Sequence, residues 1–293
     1  MDSKQLLKSI EQLMDDLANE TDEVKISEGF QNYLTAMTRF YKYSLMNQFL
    51  IHIQKRDATL VAGFKTWQKK FDRHVKKGEK GIAILAPIVY RVEPKKQNAD
   101  PDTTATSVDT LEIGKKEQAT RVHLRFRVVY VFDVSQTEGK PLPEEPNWHC
   151  TAKDGELDRR LSDFAAKKGY KVEIVDDLAG ADGVAFHNKT IKVLGETGSS
   201  TLIHELAHQL LGHLDESNTV DRQQAEVEAE TVAYVVCQHF NINTGEAAPN
   251  YLALWKTTGK EIRACLDRIR GVVVEIICAV EQQTALEDLG GEA

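Results

Sequence analysis

The chain has 293 residues, of which 41% are hydrophobic and 28% charged, and its formal net charge is −8. These fractions are typical of a globular protein, and no apolar run approaches the roughly 20 residues of a membrane-spanning helix. The first 20 residues predict an acidic amphipathic helix and not a signal peptide. The four cysteines show no paired spacing, which predicts reduced structural thiols and a cytoplasmic location.

The first half of the chain begins with helices and continues with strands. Apolar residues at helical spacing predict that residues 1–53 are helical, and a short helix is expected around Trp67 within residues 60–75. Residues 82–92 and 122–134 then predict strands. The polar segment 93–120 between them predicts a mobile hairpin extension or insertion.

Prolines at positions 141, 143 and 146 predict a linker between two domains, residues 1–146 and residues 147–293. The predicted fold class is α+β, with a mixed α/β N-terminal domain and a mostly helical C-terminal domain that contains a small sheet. In the second domain we expect short strands over 171–175 and 191–193 and helices over 156–168, 199–213, 220–240, 255–264 and 269–282.

Charge is divided unevenly between the two halves. Residues 1–150 carry 23 Lys and Arg against 21 Asp and Glu, whereas residues 151–293 carry 14 against 24, so the balances are +2 and −10. The stretch 64–81 alone has seven basic and two acidic residues. Such different balances indicate different partners for the two domains.

The basic stretch 64–81 has the composition of a surface for single-stranded nucleic acid. Its cations can neutralise phosphates and release counterions, while an interleaved aromatic residue can stack on bases. The competing interpretation is that Trp67 and Phe71, four residues apart, belong to the core and that the lysines form a solvated face. The predicted DNA-contacting residues are Lys65, Trp67, Lys69, Lys70, Arg73, Lys76, Lys77 and Lys80.

Residues 204–208 read His-Glu-Leu-Ala-His, and this motif predicts a zinc site. Two histidines four apart on a helix share one face, with Cβ atoms about 5–6 Å apart, which suits two imidazoles on one tetrahedral Zn²⁺. Glu205 follows the first histidine, where it can take a proton from a water on the metal. The motif therefore predicts Zn²⁺ as the cofactor, His204 and His208 as ligands and Glu205 as the catalytic base.

A third protein ligand is expected from the next helix, where Glu226, Glu228 and Glu230 compete. Glu226 borders the apolar face of that helix, Glu230 lies further out and Glu228 points most nearly away. We therefore assign Glu226 as the third ligand and Glu230 as the acceptor that orients a ligand histidine, with a solvated acidic helix edge as the alternative. His213 could approach the site or cap the helix, and Tyr234 could stabilise an oxyanion or fill the core.

The sequence VAGFKTWQKKFDRHVKKGEKGIAILAP, followed by FRVVYVFDVSQTEGKPLP, resembles the N-terminal domain of ArdC-type antirestriction proteins. Plasmids and other mobile elements carry such proteins, and the resemblance covers residues 5–145. In that family the domain binds single-stranded DNA, so the resemblance implies the same partner for this chain.

The motifs HELAHQLLGH and EVEAETVAYVV are similar to ArdC metallopeptidase domains and to the wider ImmA/IrrE-type zincins. In those zincins a helix with the pattern Glu-x-x-Ala-(Asn/Asp)-x-(Phe)-Ala supplies the third ligand. The resemblance thus implies a zincin-like domain with Glu226 as a ligand, although Glu230 stands where Asn or Asp is usual. The matching residues are Glu226, Ala229, Glu230 and Ala233, with Val232 in place of Phe.

Together, the patterns and the resemblance predict an antirestriction-type protein with two activities. Residues 1–146 would bind single-stranded DNA, and residues 147–293 would hydrolyse peptide bonds in an unidentified protein substrate. The rival prediction is a DNA-binding protein whose zinc site is structural and whose peptidase activity is vestigial. A structural site has no use for Glu205, so its presence favours catalysis.

Overall fold

The computed structural model describes residues 2–19, 23–92, 110–111, 121–142, 155–242 and 258–290. The described residues form a mixture of helices and small sheets, which confirms the predicted α+β class. The chain divides into two compact units. Unit 1 comprises residues 1–10 and 53–140, and unit 2 comprises residues 11–52 and 141–293.

Unit 1 is built around an antiparallel sheet. Its long strands are β3 (Ile82–Val92) and β5 (Arg121–Asp133), which pair from Ile82 opposite Val131 to Val92 opposite Arg121. These strands are rich in β-branched and aromatic residues, which favour pleated structure. The remaining elements are β1 (Val61–Gly63) and β4 (Thr110–Leu111), which both pair with β5, the helix α4 (Phe64–Lys70), and a two-stranded sheet of β2 (Arg73–Val75) and β6 (Thr137–Gly139).

Trp67 anchors α4 to this sheet. Its side chain is fully buried, and its indole Nε1 donates a 2.9 Å hydrogen bond to the backbone carbonyl of Phe132. Beside it, the buried Asp133 carboxylate accepts hydrogen bonds from the backbone N–H groups of Thr59, Leu60 and Ser135. Burial opposes ionisation of Asp133, but these bonds lower its pKa below the ordinary value. The buried carboxylate thus fixes the chain at the end of β5.

Three helices cover most of residues 3–54, and the division between the units falls within the first and third of them. They are α1 (Ser3–Asn19), α2 (Glu23–Arg39) and α3 (Leu45–Gln54).

Unit 2 contains a three-stranded sheet in which β9 (Thr190–Leu194) is the central strand. It runs parallel to β7 (Lys171–Val175) and antiparallel to β8 (Gly183–Ala185). The other helices of unit 2 are α5 (Gly155–Lys167), α6 (Ser199–Leu210), α7 (Arg222–His239) and α8 (Gly259–Gly290).

A polar cluster joins the segment after α2 to helices α7 and α8 within unit 2. The Tyr41 hydroxyl donates to the Glu281 carboxylate at 2.7 and 2.9 Å, His239 Nε2 lies 3.2 Å from it, and Lys42 Nζ lies 3.6 Å from it. Burial opposes ionisation of Glu281, but these neighbours lower its pKa to about 2. The cluster is one reason why residues 11–52 belong with the C-terminal part of the chain.

The division of the chain therefore differs from the single boundary that we predicted at residue 146. The observed boundary at residue 140 lies close to it, but residues 11–52 pack with unit 2. An apolar helical stripe shows that a helix is buried and not what it is buried against. The two helices predicted over 255–264 and 269–282 are also different, because α8 is continuous from Gly259.

Most of the predicted hairpin extension, residues 93–109 and 112–120, lies outside the described residues. No helix in the described part of the chain combines the length and apolar character needed to cross a lipid bilayer.

Candidate functional site

Helix α6 positions the two histidines of the predicted zinc motif. Leu202, Ile203 and Leu206 are buried and fix one side of the helix in unit 2. His204 and His208 lie one turn apart, with ring centroids 4.8 Å apart and Nε2 atoms 3.1 Å apart. The two Nε2 atoms therefore point toward a common position.

Helix α7 brings Glu226 to the same position. The helix begins after Asp221, whose side chain accepts a hydrogen bond from the Gln224 backbone and caps the first turn. The Oε2 atom of Glu226 lies 3.4 Å from His204 Nε2 and 3.5 Å from His208 Nε2. One ligand atom from each residue lies within 4.8 Å of the others.

This triangle of atoms fits a divalent metal. Ligand atoms of a tetrahedral Zn²⁺ with bonds of 2.0–2.1 Å lie about 3.3 Å apart, and the three separations bracket that value. Two imidazoles and one carboxylate are also the ligand set of several hydrolytic zinc sites. The geometry therefore suits the three predicted ligands, His204, His208 and Glu226.

Both histidines are set up as neutral imidazoles. Burial lowers the pKa of His204 and of His208, and the Glu226 carboxylate only partly opposes this effect. A histidine must be deprotonated at the nitrogen that binds a metal, so a lowered pKa favours metal binding at neutral pH.

Glu205 and His204 line a cavity of about 340 Å³. Burial and the Glu226 charge raise the pKa of Glu205 to about 7, although the Ala185 backbone donates a hydrogen bond that opposes the increase. The cavity opens between α6, α7 and the strand β8. Its lining residues are Asp182, Gly183, Ser200, Thr201, His204, Glu205, Glu230, Ala233 and Tyr234.

Gly183 makes room for the Glu205 side chain. A Cβ atom at position 183 would lie 2.8 Å from Glu205 Cγ and 2.7 Å from Thr201 Cγ2, both closer than side chains normally approach. The glycine in β8 therefore allows the strand to pass directly against Glu205. A side chain there would displace the carboxylate from its present position.

A buried chain of hydrogen bonds continues outward from His208. Its Nδ1 atom lies 3.0 Å from His213 Nδ1, and His213 Nε2 lies 3.2 Å from Glu228 Oε2. The His213 side chain is 2% exposed and Glu228 is fully buried. If His208 Nε2 binds a metal, Nδ1 carries the proton and donates to His213, which in turn donates to Glu228.

Glu228 is itself held on several sides. Gln224 donates to it at 2.8 Å, the Cys265 thiol at 3.3 Å, and Arg268 of α8 forms an ion pair with it. Burial opposes ionisation of Glu228, but these partners and His213 lower its pKa. The chain from His208 therefore ends on a carboxylate that stays charged.

These contacts correct three expectations about the second helix. Glu228 does not point toward solvent, because α8 covers that side of α7 and supplies its partners. The outer partner of His208 is His213, and among the described residues Glu230 accepts no hydrogen bond from either ligand histidine. Glu230 instead lines the cavity, where burial and the Glu226 charge raise its pKa. Tyr234 also lines the cavity and does not fill the core.

His213 could have been found from its local sequence. It follows Gly212, whose positive φ of 70° reverses the chain directly after α6. A histidine in such a turn is carried back toward the last turn of the helix, where His208 lies. The spacing in the sequence allowed His213 either to approach the site or to cap the helix.

The predicted DNA-contacting residues fall into two groups. Trp67 is fully buried, so it belongs to the core and cannot stack on bases, and the prediction for Trp67 was wrong. Arg73 is engaged by Thr137 and by the carbonyls of Gly139 and Lys140, and Lys76 donates to the Ser135 carbonyl. Lys76 is nevertheless exposed, as are the remaining five lysines on the surface of unit 1, which are Lys65, Lys69, Lys70, Lys77 and Lys80.

The structural division sharpens the charge asymmetry that the sequence halves showed. The residues of unit 1 include 20 Lys and Arg against 12 Asp and Glu, a balance of +8. Those of unit 2 include 17 against 33, a balance of −16. The acidic residues within 11–52 belong to unit 2, and counting them with the first half of the sequence had hidden the positive charge of unit 1.

The chain is similar to a protein known from its sequence and to two solved structures. An uncharacterized protein of Bacillus anthracis is 28% identical over 289 residues, which cover 88% of this chain and 48% of that protein, so the chain spans about half the length of this relative. Two crystal structures of the antirestriction ArdC protein from plasmid R388 also match. The metal-free structure has a TM-score of 0.45 at 17% identity, covering 82% of this chain and 86% of that one. The Mn(II)-bound structure has a TM-score of 0.41 at 15% identity, covering 85% and 97%.

The family model for the N-terminal domain of anti-restriction factor ArdC matches residues 3–132. This match agrees with the resemblance seen in the sequence over residues 5–145.

Proposed function

We propose that unit 2 is a zinc-dependent peptidase of the ImmA/IrrE type and that unit 1 binds single-stranded DNA. The observation that carries the first part is the meeting of His204, His208 and Glu226 beside a cavity that Glu205 lines. A site that served only to hold the fold together would need neither an adjacent cavity nor a buried carboxyl at its edge.

The residues of the site have distinct roles in this proposal. His204, His208 and Glu226 would hold Zn²⁺, which supplies a Lewis acid that polarises a peptide carbonyl and activates water. Glu205 accepts the proton of the attacking water and returns it to the leaving amine. Its pKa of about 7 suits proton transfer in both directions at neutral pH.

Two other side chains would assist the reaction. His213 fixes the ring of His208 through the hydrogen bond at Nδ1, so that Nε2 stays directed at the ligand position. Tyr234 lines the same cavity as Glu205, and its hydroxyl could donate to the carbonyl oxygen as charge develops there.

The DNA-binding part of the proposal is supported by family and charge. Residues 3–132 match the ArdC N-terminal domain, and unit 1 has a balance of +8 with six exposed lysines in the stretch 64–81. Phosphate neutralisation by such lysines releases counterions and favours binding at low salt. An antirestriction role would follow if the peptidase acts on proteins near the bound DNA.

The competing proposal is a DNA-binding protein with a structural zinc site. Incubating the zinc-loaded full-length protein with a quenched-fluorescence peptide library separates the two. We expect hydrolysis by the wild type and by the control Glu216→Gln, which alters an exposed carboxylate outside the cavity, but not by Glu205→Gln. Full zinc occupancy without cleavage of any library member would instead favour the structural role.

A further inference from the structure

Strand β5 carries a row of exposed aromatic side chains. Phe126 and Tyr130 are 42% and 53% exposed, and Phe132 continues the same face because side chains alternate along a strand. Phe64 is 47% exposed and packs edge-to-face on Phe132, with ring centroids 6.3 Å apart. We name Phe64, Phe126, Tyr130 and Phe132 together the aromatic face. It lies wholly in unit 1.

The neighbouring strands leave these rings accessible. Each aromatic residue of β5 lies opposite a small residue or a proline on the adjacent strand, so no large side chain is set directly across from it. Phe126 and Tyr130 are four residues apart, or about 13 Å along the strand, which is enough to receive separate bases. The opposing residues are Ala62 for Phe132, Ala83 for Tyr130 and Pro87 for Phe126.

Gly81 brings the basic stretch against the aromatic face. A Cβ atom at Gly81 would lie 2.9 Å from Tyr130 Cβ and 3.1 Å from Phe132 Cζ, so the backbone there touches both residues. The exposed Lys80 precedes this contact in sequence, and the exposed Lys65 follows Phe64. Cations therefore adjoin the aromatic face at two points along the chain.

We propose that the aromatic face is the base-stacking surface for single-stranded DNA, an inference that rests on the DNA-binding function proposed above. Rings stack on the π-face of any base, while adjoining lysines neutralise the backbone phosphates. If the same face of a second copy packed on this one, the lysines of the two copies would lie near one another, and this repulsion disfavours a symmetric dimer through the aromatic face. The buried Trp67 cannot take this role, which passes to Phe126 and Tyr130.

Fluorescence anisotropy of the full-length protein with a labelled oligothymidine tests the proposal. Phe126→Ala and Tyr130→Ala should each weaken binding about 5- to 150-fold, the usual effect of losing one stacked base. The dependence of Kd on salt should keep its slope, because stacking releases no counterions. Tyr130→Phe should retain binding because the ring remains.

The matched control is Phe186→Ala, which removes an exposed phenylalanine of unit 2 and should leave binding unchanged. If the wild type binds but the Phe126→Ala/Tyr130→Ala double variant binds equally well, the aromatic face is not the stacking surface. A change of oligomeric state with unchanged DNA affinity would assign the face to a second copy of the chain and also overturn the proposal. If the wild type binds no single-stranded DNA at low salt, the proposed DNA function itself fails.

Discussion

Replacing His213 with alanine removes the outer hydrogen-bond partner of His208 without touching any of the three ligand atoms. Loss of such a partner typically weakens metal affinity 10- to 100-fold, or about 1.4–2.8 kcal/mol. The protein should still fold, because Glu228 keeps Gln224 and Arg268 as partners after the change. Zinc titration of the metal-free protein against a chromophoric chelator measures the effect.

The matched control is His239→Ala. His239 is also a largely buried histidine of unit 2 with a carboxylate partner, but that partner is Glu281, outside the zinc site. This variant should lose stability and keep the wild-type affinity for zinc. If His213→Ala binds zinc as tightly as the wild type, or if His239→Ala lowers the affinity for zinc equally, His213 does not support the metal site through His208.

Three further predictions concern the base, the polar cluster and the lysines. Glu205→Gln should keep stoichiometric zinc and lose peptide hydrolysis, and an unchanged rate would remove Glu205 from the mechanism. Glu281 has a lowered pKa of about 2, so its contribution to stability is fully present above pH 4.5 and is lost as the pH falls through 2. Glu281→Gln should therefore lower the free energy of unfolding at pH 7 by about 1–2 kcal/mol, discounted for partial exposure, and denaturant titrations should show this difference shrinking as the pH falls from 4.5 through 2. Replacing exposed lysines with glutamate should weaken single-stranded DNA binding and flatten its salt dependence, and an unaltered slope would place the phosphates elsewhere. The lysines to be changed are Lys69, Lys70 and Lys77.

The parts of the site that the sequence predicted are those set by spacing within one helix. His204 and His208 share a face of α6 because they are four apart, and Glu226 borders the packed face of α7. Both statements follow from helical periodicity alone. The placement of Glu226 beside the histidines also needed α7 to pack on α6, which the order of elements favoured.

The parts that were missed depend on contacts between distant segments. Glu228 was expected to face solvent, but Arg268 and Cys265, which lie about 40 positions later, bury it against α8. Helical periodicity marks one apolar face, whereas α7 is packed on two sides. The sequence allowed two interpretations of Trp67, because an aromatic residue among lysines suits either a protein core or a binding surface.

The metal content of the full-length protein tests the proposed zinc site most directly. After dialysis against buffer with trace zinc, inductively coupled plasma mass spectrometry should find about one zinc per wild-type chain. It should find almost none in the His204→Ala/His208→Ala variant. Glu226→Gln should lose more zinc than Glu228→Gln, because the first change removes a ligand and the second an outer partner of His213. Full zinc occupancy in the double histidine variant would contradict the assignment of this site.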